Sequence, residues 1–364
     1  MSKIFTSIGL MSGTSLDGID VALIKTDGES LFERGPSATY PYDQVQQAIL
    51  RQALVDACEI TQRKQRPANL GEVEALSTKL HVEAVQRFLD ENGLNYSNID
   101  IIGFHGQTVL HRPDKRLTVQ LGDGQALAKA TKIQVVYDMR AADVAAGGQG
   151  APLVPAYHRA LAKDTPVAFV NIGGVGNVTH VSADGYLTAF DTGPGNALIN
   201  DWMEKNAGID FDDSGKAAAR GNISVPHLKT ALASEYFTKR PPKSLDRNSF
   251  AHLDFNGLNL EDGAATLTAF TAHSIARSAS WFHEPPNLWI ICGGGRHNAT
   301  LMQMLREILP NVQSAEEQGL NGDSIEAEAW AYLAVRSLRG LPITFPGTTG
   351  VKQEMTGGVL VKPV

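Results

Sequence analysis

The sequence predicts an α/β protein of two lobes built on one repeated plan, and three observations carry that expectation. Each half opens on a pair of strand-like runs joined by a glycine-rich tip. Each then continues with amphipathic helices and apolar strands that run into glycines. With 364 residues and 43% hydrophobic content, the chain has more length than one core needs. No residue-by-residue repeat relates the halves, so the duplication rests on the order of elements alone. Such a plan predicts two lobes facing one cleft, with ligands at the carboxyl ends of strands. Residues 1–140 are the expected N-terminal lobe, which the 341–364 tail could join, and 141–340 the expected C-terminal lobe.

Taken in order, Ile4-Phe5-Thr6-Ser7-Ile8-Gly9-Leu10-Met11 reads as a strand, and Ile19-Asp20-Val21-Ala22-Leu23-Ile24-Lys25 as a second one returning from the turn Ser12-Gly13-Thr14-Ser15-Leu16-Asp17-Gly18. A P-loop or a dinucleotide-binding turn would place a helix after the glycines, and neither GxxxxGK[ST] nor GxGxxG occurs. Helix-like spacing covers 42–58. Apolar Val73, Leu76, Leu80, Ala84 and Phe88 predict a helix over 72–92 that Gly93 ends. A strand then enters Gly103-Phe104-His105-Gly106, a short helix is expected near 126–130, and a strand over 133–138. The loop 145–155, three glycines closed by two prolines, reads as a buried passage between the lobes.

The second half repeats the order. Val167-Ala168-Phe169-Val170-Asn171-Ile172 enters Gly173-Gly174, and Asn177-Val178-Thr179-His180-Val181 alternates like a returning strand. Helices are expected over 264–282, 298–309 and 325–338, with a strand from Leu288 to the glycines at 293–295 and another near Val312.

The net charge of -7, with no local Lys/Arg cluster to offset it, argues against a nucleic-acid surface. Two distant cysteines, Cys58 and Cys292, make neither a disulfide framework nor a zinc site and suit the reducing cytoplasm. No signal-peptide core and no membrane-length apolar run is present, so neither export nor membrane insertion is expected.

The chemistry concentrates at Tyr186-Leu187-Thr188-Ala189-Phe190-Asp191-Thr192-Gly193-Pro194-Gly195-Asn196. Here a strand is expected to end on the carboxylate of Asp191, a Gly-Pro-Gly turn to follow, and Asn196 to cap a helix whose first amides face an anion. A base beside a phosphate seat is what phosphoryl transfer requires. By itself an Asp before a turn is more often a local hydrogen-bonding residue. His105 alone likewise reads as a satisfied structural histidine.

Several stretches together carry a family resemblance. Residues 9–20, 103–108, Asp143 with the loop to Pro155, Asn171-Ile172-Gly173-Gly174, Phe190-Asp191-Thr192-Gly193-Pro194-Gly195-Asn196 and Cys292-Gly293-Gly294-Gly295 resemble, in order, the motifs of the anhydro-N-acetylmuramic acid kinases. That family belongs to the sugar kinase, Hsp70 and actin superfamily. The resemblance implies a two-lobed duplicated actin-like ATPase fold with an interlobe active-site cleft.

It also implies an enzyme of peptidoglycan recycling that uses ATP and water to open the 1,6-anhydro bridge of 1,6-anhydro-N-acetylmuramic acid and phosphorylate O6. Asp191 would be the general base. Gly13, Thr14, Ser15, Leu16, Asp17, Gly18, Ile19 and Asp20 would hold the ATP phosphates, and Gly173, Gly174, Gly293, Gly294 and Gly295 would approach phosphate and adenosine. Arg140 and Glu326 would contact the sugar, with His105 a further substrate-binding candidate and Arg140 a candidate cation for the lactyl carboxylate. One of Glu326 and Glu328 is expected to be simply solvated. Where related sugar kinases carry an Asp, this chain has Met11-Ser12, which leaves two readings of Asp17 and Asp20: holders of Mg2+ through water, or plain turn residues. A homodimer is implied as well. A phosphatase on the same fold, a non-catalytic sugar sensor and a levoglucosan kinase-like enzyme are the alternatives.

Overall fold

The runs expected to form the first hairpin are antiparallel partners in the computed structural model, which describes residues 3–13 and 15–363. Strands β1 (Phe5–Ser12) and β2 (Gly18–Thr26) pair from Phe5↔Thr26 to Met11↔Asp20, and β3 (Phe32–Pro41) adds antiparallel to β2. Thr14, at the tip, lies outside the described residues. Helices α1 (Gln44–Asp56) and α2 (Leu70–Glu91) follow, α1 starting from a capping box in which Asp43 accepts from the Gln46 amide. On the other side of β1 lie the parallel strands β4 (Ile101–Arg112) and β6 (Gln134–Tyr137). Strand β4 does not stop at its glycines; it runs on to pair with β5 (Leu117–Leu121), and helix α3 (Gly124–Thr131) leads into β6.

The second sheet repeats the plan. Strands β7 (Val167–Ile172), β8 (Val175–Val181) and β9 (Leu187–Pro194) form an antiparallel meander. Parallel strands β10 (Leu288–Cys292) and β11 (Val312–Ser314) continue it beyond β7. The orders β3-β2-β1-β4-β6 and β9-β8-β7-β10-β11 match in sequence and sense, so the repeated order of elements read from the chain is a repeated topology. The first sheet gains β5 and an edge strand β12 (Val359–Val361), antiparallel to β6.

The chain divides into two compact units, Met1–Leu161 with Ser324–Val364, and Ala162–Asp323. These bounds differ from the expected ones at 140 and 340. Helices α4 (Ala141–Ala145) and α5 (Pro155–Leu161) and the loop between them belong to the first unit. That loop is bound within the first unit. Asp143 accepts the Gly150 amide at 2.6 Å and the Thr349 hydroxyl at 2.6 Å, and the Gln149 amide reaches the Thr349 carbonyl at 2.7 Å.

The larger shift is the return of the long C-terminal helix to the first sheet. Gly9 on β1 and Gly103 on β4 are register partners, and a Cβ on them would lie 1.8 Å from the Ala327 carbonyl oxygen and 2.0 Å from that of Trp330. Two side-chain-free positions side by side let an alanine-rich helix lie directly on the strands, backbone against backbone. The Ser7 hydroxyl adds a bond to the Ala331 carbonyl at 2.8 Å. In the second unit, α6 (Ala197–Ala207), α7 (Val225–Leu232), α8 (Leu260–Arg277) and α9 (Ala299–Ile308) pack among themselves and on the sheet, and α10 (Ile325–Leu338) is the helix that returns to the first. Among the described residues no helix is long and apolar enough to cross a membrane.

Gly103→Ala would drive a methyl group into main chain that has no rotamer to change, and it is expected to cost at least about 3 kcal/mol, the upper part of the overpacking range. The shift in urea midpoint at unchanged slope would measure it.

Candidate functional site

In the first unit the hairpin tip is held by a buried polar relay. The Ser12 hydroxyl donates to Gln107 Oε1 at 2.6 Å and shares a hydrogen bond with the Tyr42 hydroxyl at 2.9 Å. Gln107 Nε2 then donates to the Gly13 carbonyl at 3.1 Å. The register of β1 against β4 slips by one residue between Leu10 and Ser12, so β4 carries a bulge at His105-Gly106 with Gly106 at φ 72°. Asp17 accepts from the Ser15 hydroxyl, and Asp20 from Thr39 Oγ1 at 2.5 Å. A Cβ at Gly13 would meet nothing nearer than 3.4 Å, so packing does not demand glycine there and its backbone is open to close approach.

The bulge aims His105 at Arg140. Nε and Nη2 of Arg140 both lie 3.1 Å from His105 Nε2, and Nη1 donates to the Gly150 carbonyl at 2.8 Å. The guanidinium also lies over the Trp330 ring, 5.1 Å from its centroid, and the His105 ring packs 4.5 Å from the same indole. Burial and the Arg140 charge hold His105 well below the usual histidine range, so it is neutral and Nε2 is an acceptor. Burial lowers Arg140 to about 10, which leaves it charged. Glu326, in the first turn of α10, is raised by burial and by the fields of Asp20 and Asp17, while Arg140 pulls it back. The structure thus brings Arg140, Glu326, His105, Asp17 and Asp20 into one electrostatic neighbourhood. Neither helix glutamate is simply solvated: Glu328 is buried and accepts from the Tyr157 hydroxyl at 2.8 Å and from Ser324 at 3.1 Å.

In the second unit, Gly173 and Gly174 form the tip between β7 and β8. Their carbonyls accept from the Asn196 amide at 2.7 Å, the Gly195 amide at 2.9 Å and the Ala197 amide at 3.2 Å. The two amides before α6 and its first one, that of Ala197, are therefore spent on the hairpin. Asn196 does not cap the helix with its side chain; its Nδ2 donates to the Ile172 carbonyl at 3.1 Å. The glycines divide by what surrounds them. Gly293, at φ 70°, and Gly295 are required by packing, because a Cβ would meet Asn171 Oδ1 at 2.2 Å and Ile172 Cγ2 at 2.4 Å. At Gly173, Gly174 and Gly294 a Cβ would have 3.7 Å or more of clearance, so the space above them is open to a ligand. Beside Gly294 lies a pocket of about 290 Å³, lined by Asn196, Asn200, Phe211, Ser214, His297 and Asn298 among others.

Asp191 is not at a strand end. Strand β9 continues to Pro194, and its register against β8 slips after Asn177↔Asp191, so Thr192 is the extra residue of a bulge that re-aims its neighbour. The segment after the turn Glu235–Thr238 closes over it. The Asp191 amide donates to the Lys243 carbonyl at 3.0 Å, its carbonyl accepts from the Tyr236 hydroxyl, and its carboxylate Oδ2 accepts the Leu245 amide at 2.7 Å. Burial raises the carboxyl to about 6, against the smaller opposing effect of the Leu245 hydrogen bond.

Sequence reading did not single out Gln107 and Tyr42 as supports of the tip, nor Tyr236, Lys243 and Leu245 as the seat of Asp191. Their roles depend on sequence separations of 95 and 54 residues, which no local period encodes. Gln107→Leu would leave the Ser12 hydroxyl and the Gly13 carbonyl short of partners, and a loss of about 1–3 kcal/mol in denaturant stability is expected. Asp191→Asn keeps an acceptor for Leu245 and removes a charge. With the folded carboxyl raised from 3.8 to about 6, its stabilising contribution is present below pH 3.8 and lost as pH rises through about 6. The variant should therefore be more stable than the wild type at pH 8, on the order of 2 kcal/mol, and lose that advantage by pH 4 in thermal or urea unfolding.

Comparison with known proteins agrees with this architecture. The chain's fold resembles that of (R)-2-hydroxyglutaryl-CoA dehydratase component A from Acidaminococcus fermentans, with a TM-score of 0.50 over 92% of this chain and 99% of that one at 11% identity, a likeness of the actin-like ATPase fold alone. Relatives named anhydro-N-acetylmuramic acid kinase are 54% identical in Rhodopseudomonas palustris, covering 98% of this chain and 99% of the relative, and 50% identical in Agrobacterium fabrum, covering 100% of both. The profile of the family described as anhydro-N-acetylmuramic acid kinase matches residues 5–363. A match of that extent, with identities of one half across whole chains, places this protein in the anhydro-N-acetylmuramic acid kinase family.

Proposed function

We propose that this chain is an ATP-dependent kinase that hydrolytically opens the 1,6-anhydro bridge of 1,6-anhydro-N-acetylmuramic acid and phosphorylates O6, giving N-acetylmuramic acid 6-phosphate and ADP in cell-wall recycling. The observation that carries the reading, beside family membership, is one half-buried carboxylate, Asp191, raised to about 6 and held on a bulge at the edge of a glycine-tipped meander. A base of that proton affinity is ionised at neutral pH and still takes a proton from water with useful driving force.

Asp191 removes a proton from water as the water oxygen attacks the anomeric carbon. The C1–O6 bond breaks, and the O6 electron pair attacks the γ-phosphorus of ATP, with ADP leaving. One proton is released for each turnover. Arg140, Glu326 and His105 contact the sugar, Arg140 keeping its charge for a carboxylate such as the lactyl group although three of its donor positions are engaged within the protein. Gly13, the tip residues to Asp20, and the roomy Gly173, Gly174 and Gly294 take the phosphates, and the pocket beside Gly294 suits the adenosine.

Among the described residues no group of three or more His, Cys, Asp or Glu side chains could hold a metal by itself. Asp17 and Asp20 nevertheless suit Mg2+, which takes one or two carboxylates and keeps water and phosphate ligands, and their combined field already raises Glu326. When bound there through water, the ion would neutralise charge on the phosphate oxygens. The exposed Cys58 and buried Cys292, both thiols, suit the cytoplasm. The family resemblance further supports a homodimer, which sedimentation would check.

ADP release with Mg-ATP should require 1,6-anhydro-N-acetylmuramic acid, with levoglucosan, N-acetylmuramic acid and no sugar as comparisons. The rate should climb as pH rises through about 6, since the ionised carboxylate is the active form. Asp191→Asn should lower it by about 10²–10⁴-fold. Faster turnover of levoglucosan would move the substrate assignment, and sugar-independent phosphate release unaffected by the substitution would overturn the kinase reading.

A further inference from the structure

The segment between the turn Glu235–Thr238 and residue 249 has no helix or strand, yet it makes two of the contacts that define Asp191. The carbonyl of Lys243 takes the Asp191 amide, and the amide of Leu245, two residues on, reaches Oδ2. Before them Tyr236 donates its hydroxyl to the Asp191 carbonyl. A loop can hold that geometry only if it is anchored, and Lys243 supplies the anchor. Its ammonium lies 4.5 Å from the Tyr236 ring centroid and 5.5 Å from those of Phe190 and Trp281, and it donates to the Tyr236 carbonyl at 3.1 Å.

Resting on the proposed role of Asp191 as base, we propose that residues 243–245 are a positioning clamp. The Leu245 amide fixes the carboxylate through Oδ2 and leaves Oδ1 as the oxygen that receives the proton from water, and the aromatic seat of Lys243 keeps the clamp closed.

The surroundings leave this amide as the main lever on the carboxylate. From the preceding turn comes Tyr236, a neutral phenol raised by burial and by Asp191 itself. From the segment come Lys243 and Lys239, the Lys243 amine turned into its aromatic seat and lowered to about 8 by burial and by Lys239. Arg247 is paired with Asp201 at 2.6 Å, and Asp246 holds the Asn248 amide at 2.8 Å. Strand β8 contributes the uncharged Asn177 opposite Asp191, and α8 contributes Ser274 against Gly193 and, a turn on, Arg277 over the Phe237 ring. No cation is aimed at the carboxylate by any of these described contacts. A hydrogen bond from a main-chain amide stabilises the ionised form, so deleting it raises the proton affinity.

The test replaces Leu245 by its α-hydroxy acid in the full-length protein, which exchanges the N–H for an ester oxygen and keeps the side chain. Leu245→Ala keeps the N–H and trims the side chain, Lys243→Met removes the anchor, and Asp191→Asn assigns the carboxyl carbon signal. Two readouts are followed: the 13C titration of the Asp191 carboxyl and the pH profile of ATP-dependent turnover of the anhydro-sugar. The ester should raise both the titration and the acid limb by about one unit or more. Lys243→Met should move them the same way by less, and Leu245→Ala should leave the titration where it is.

An ester variant whose titration is unmoved, while Asp191→Asn is inactive, would overturn the clamp and leave the base assignment standing. Wild-type turnover by Asp191→Asn would overturn both. A merely structural contact would lower stability or the plateau rate in the ester variant without moving either midpoint.

Discussion

A carboxylate taken out of water without a cation to meet it is the constraint around which the second unit is arranged. Asp191 lies half-buried on β9, and its desolvation alone would push it toward the protonated form. One main-chain hydrogen bond holds back part of that shift. The outcome is a group near the boundary between acid and base at neutral pH, which stronger pairing or fuller exposure would each destroy. An arginine opposite it would make a poor base, and an open turn would return it to the ordinary carboxylate range. The bulge at Thr192 and the irregular segment that follows Tyr236 are thus parts of one device.

The two sheets show how one topology supports different tasks. Each is a meander of three antiparallel strands continued by two parallel ones, and each meander opens at a glycine tip. In the first unit the tip is braced from behind by Ser12, Tyr42 and Gln107, and the β4 bulge beside it delivers His105 to Arg140. In the second unit the tip carbonyls take up the amides of Gly195, Asn196 and Ala197, and the roomy glycines are left for approach. The neutral His105 is a part of this division. By accepting from Arg140 it orients a guanidinium that also rests on Trp330, and a protonated histidine there would repel it.

Much of the fold was legible in the chain because local signals agreed with it. The glycine-tipped hairpins, the 325–338 helix and the apolar strands carry their periods in the sequence, and the tertiary structure keeps them. The unit boundary was not legible. The return of α10 depends on Gly9 and Gly103 meeting across two strands, a coincidence of register visible only once the sheet is paired. The side-chain cap expected at Asn196 misled for a related reason, since its amide group turns to the Ile172 carbonyl of the neighbouring strand. Asp191, Arg140 and Glu326 could be named from motifs, whereas their supports could not. Leu245 acts through its backbone, and a main-chain amide leaves no trace in residue type.

The central claim is that Asp191 activates the water that opens the anhydro ring. A crystal structure of the wild-type protein with the anhydro-sugar and a non-hydrolysable ATP analogue tests it most directly. The account predicts an ordered water within about 3 Å of Asp191 Oδ1 and facing the anomeric carbon, with Oδ2 still on the Leu245 amide. A carboxylate bonded directly to a sugar hydroxyl or turned to the nucleotide, with no water between it and the anomeric carbon, would contradict it.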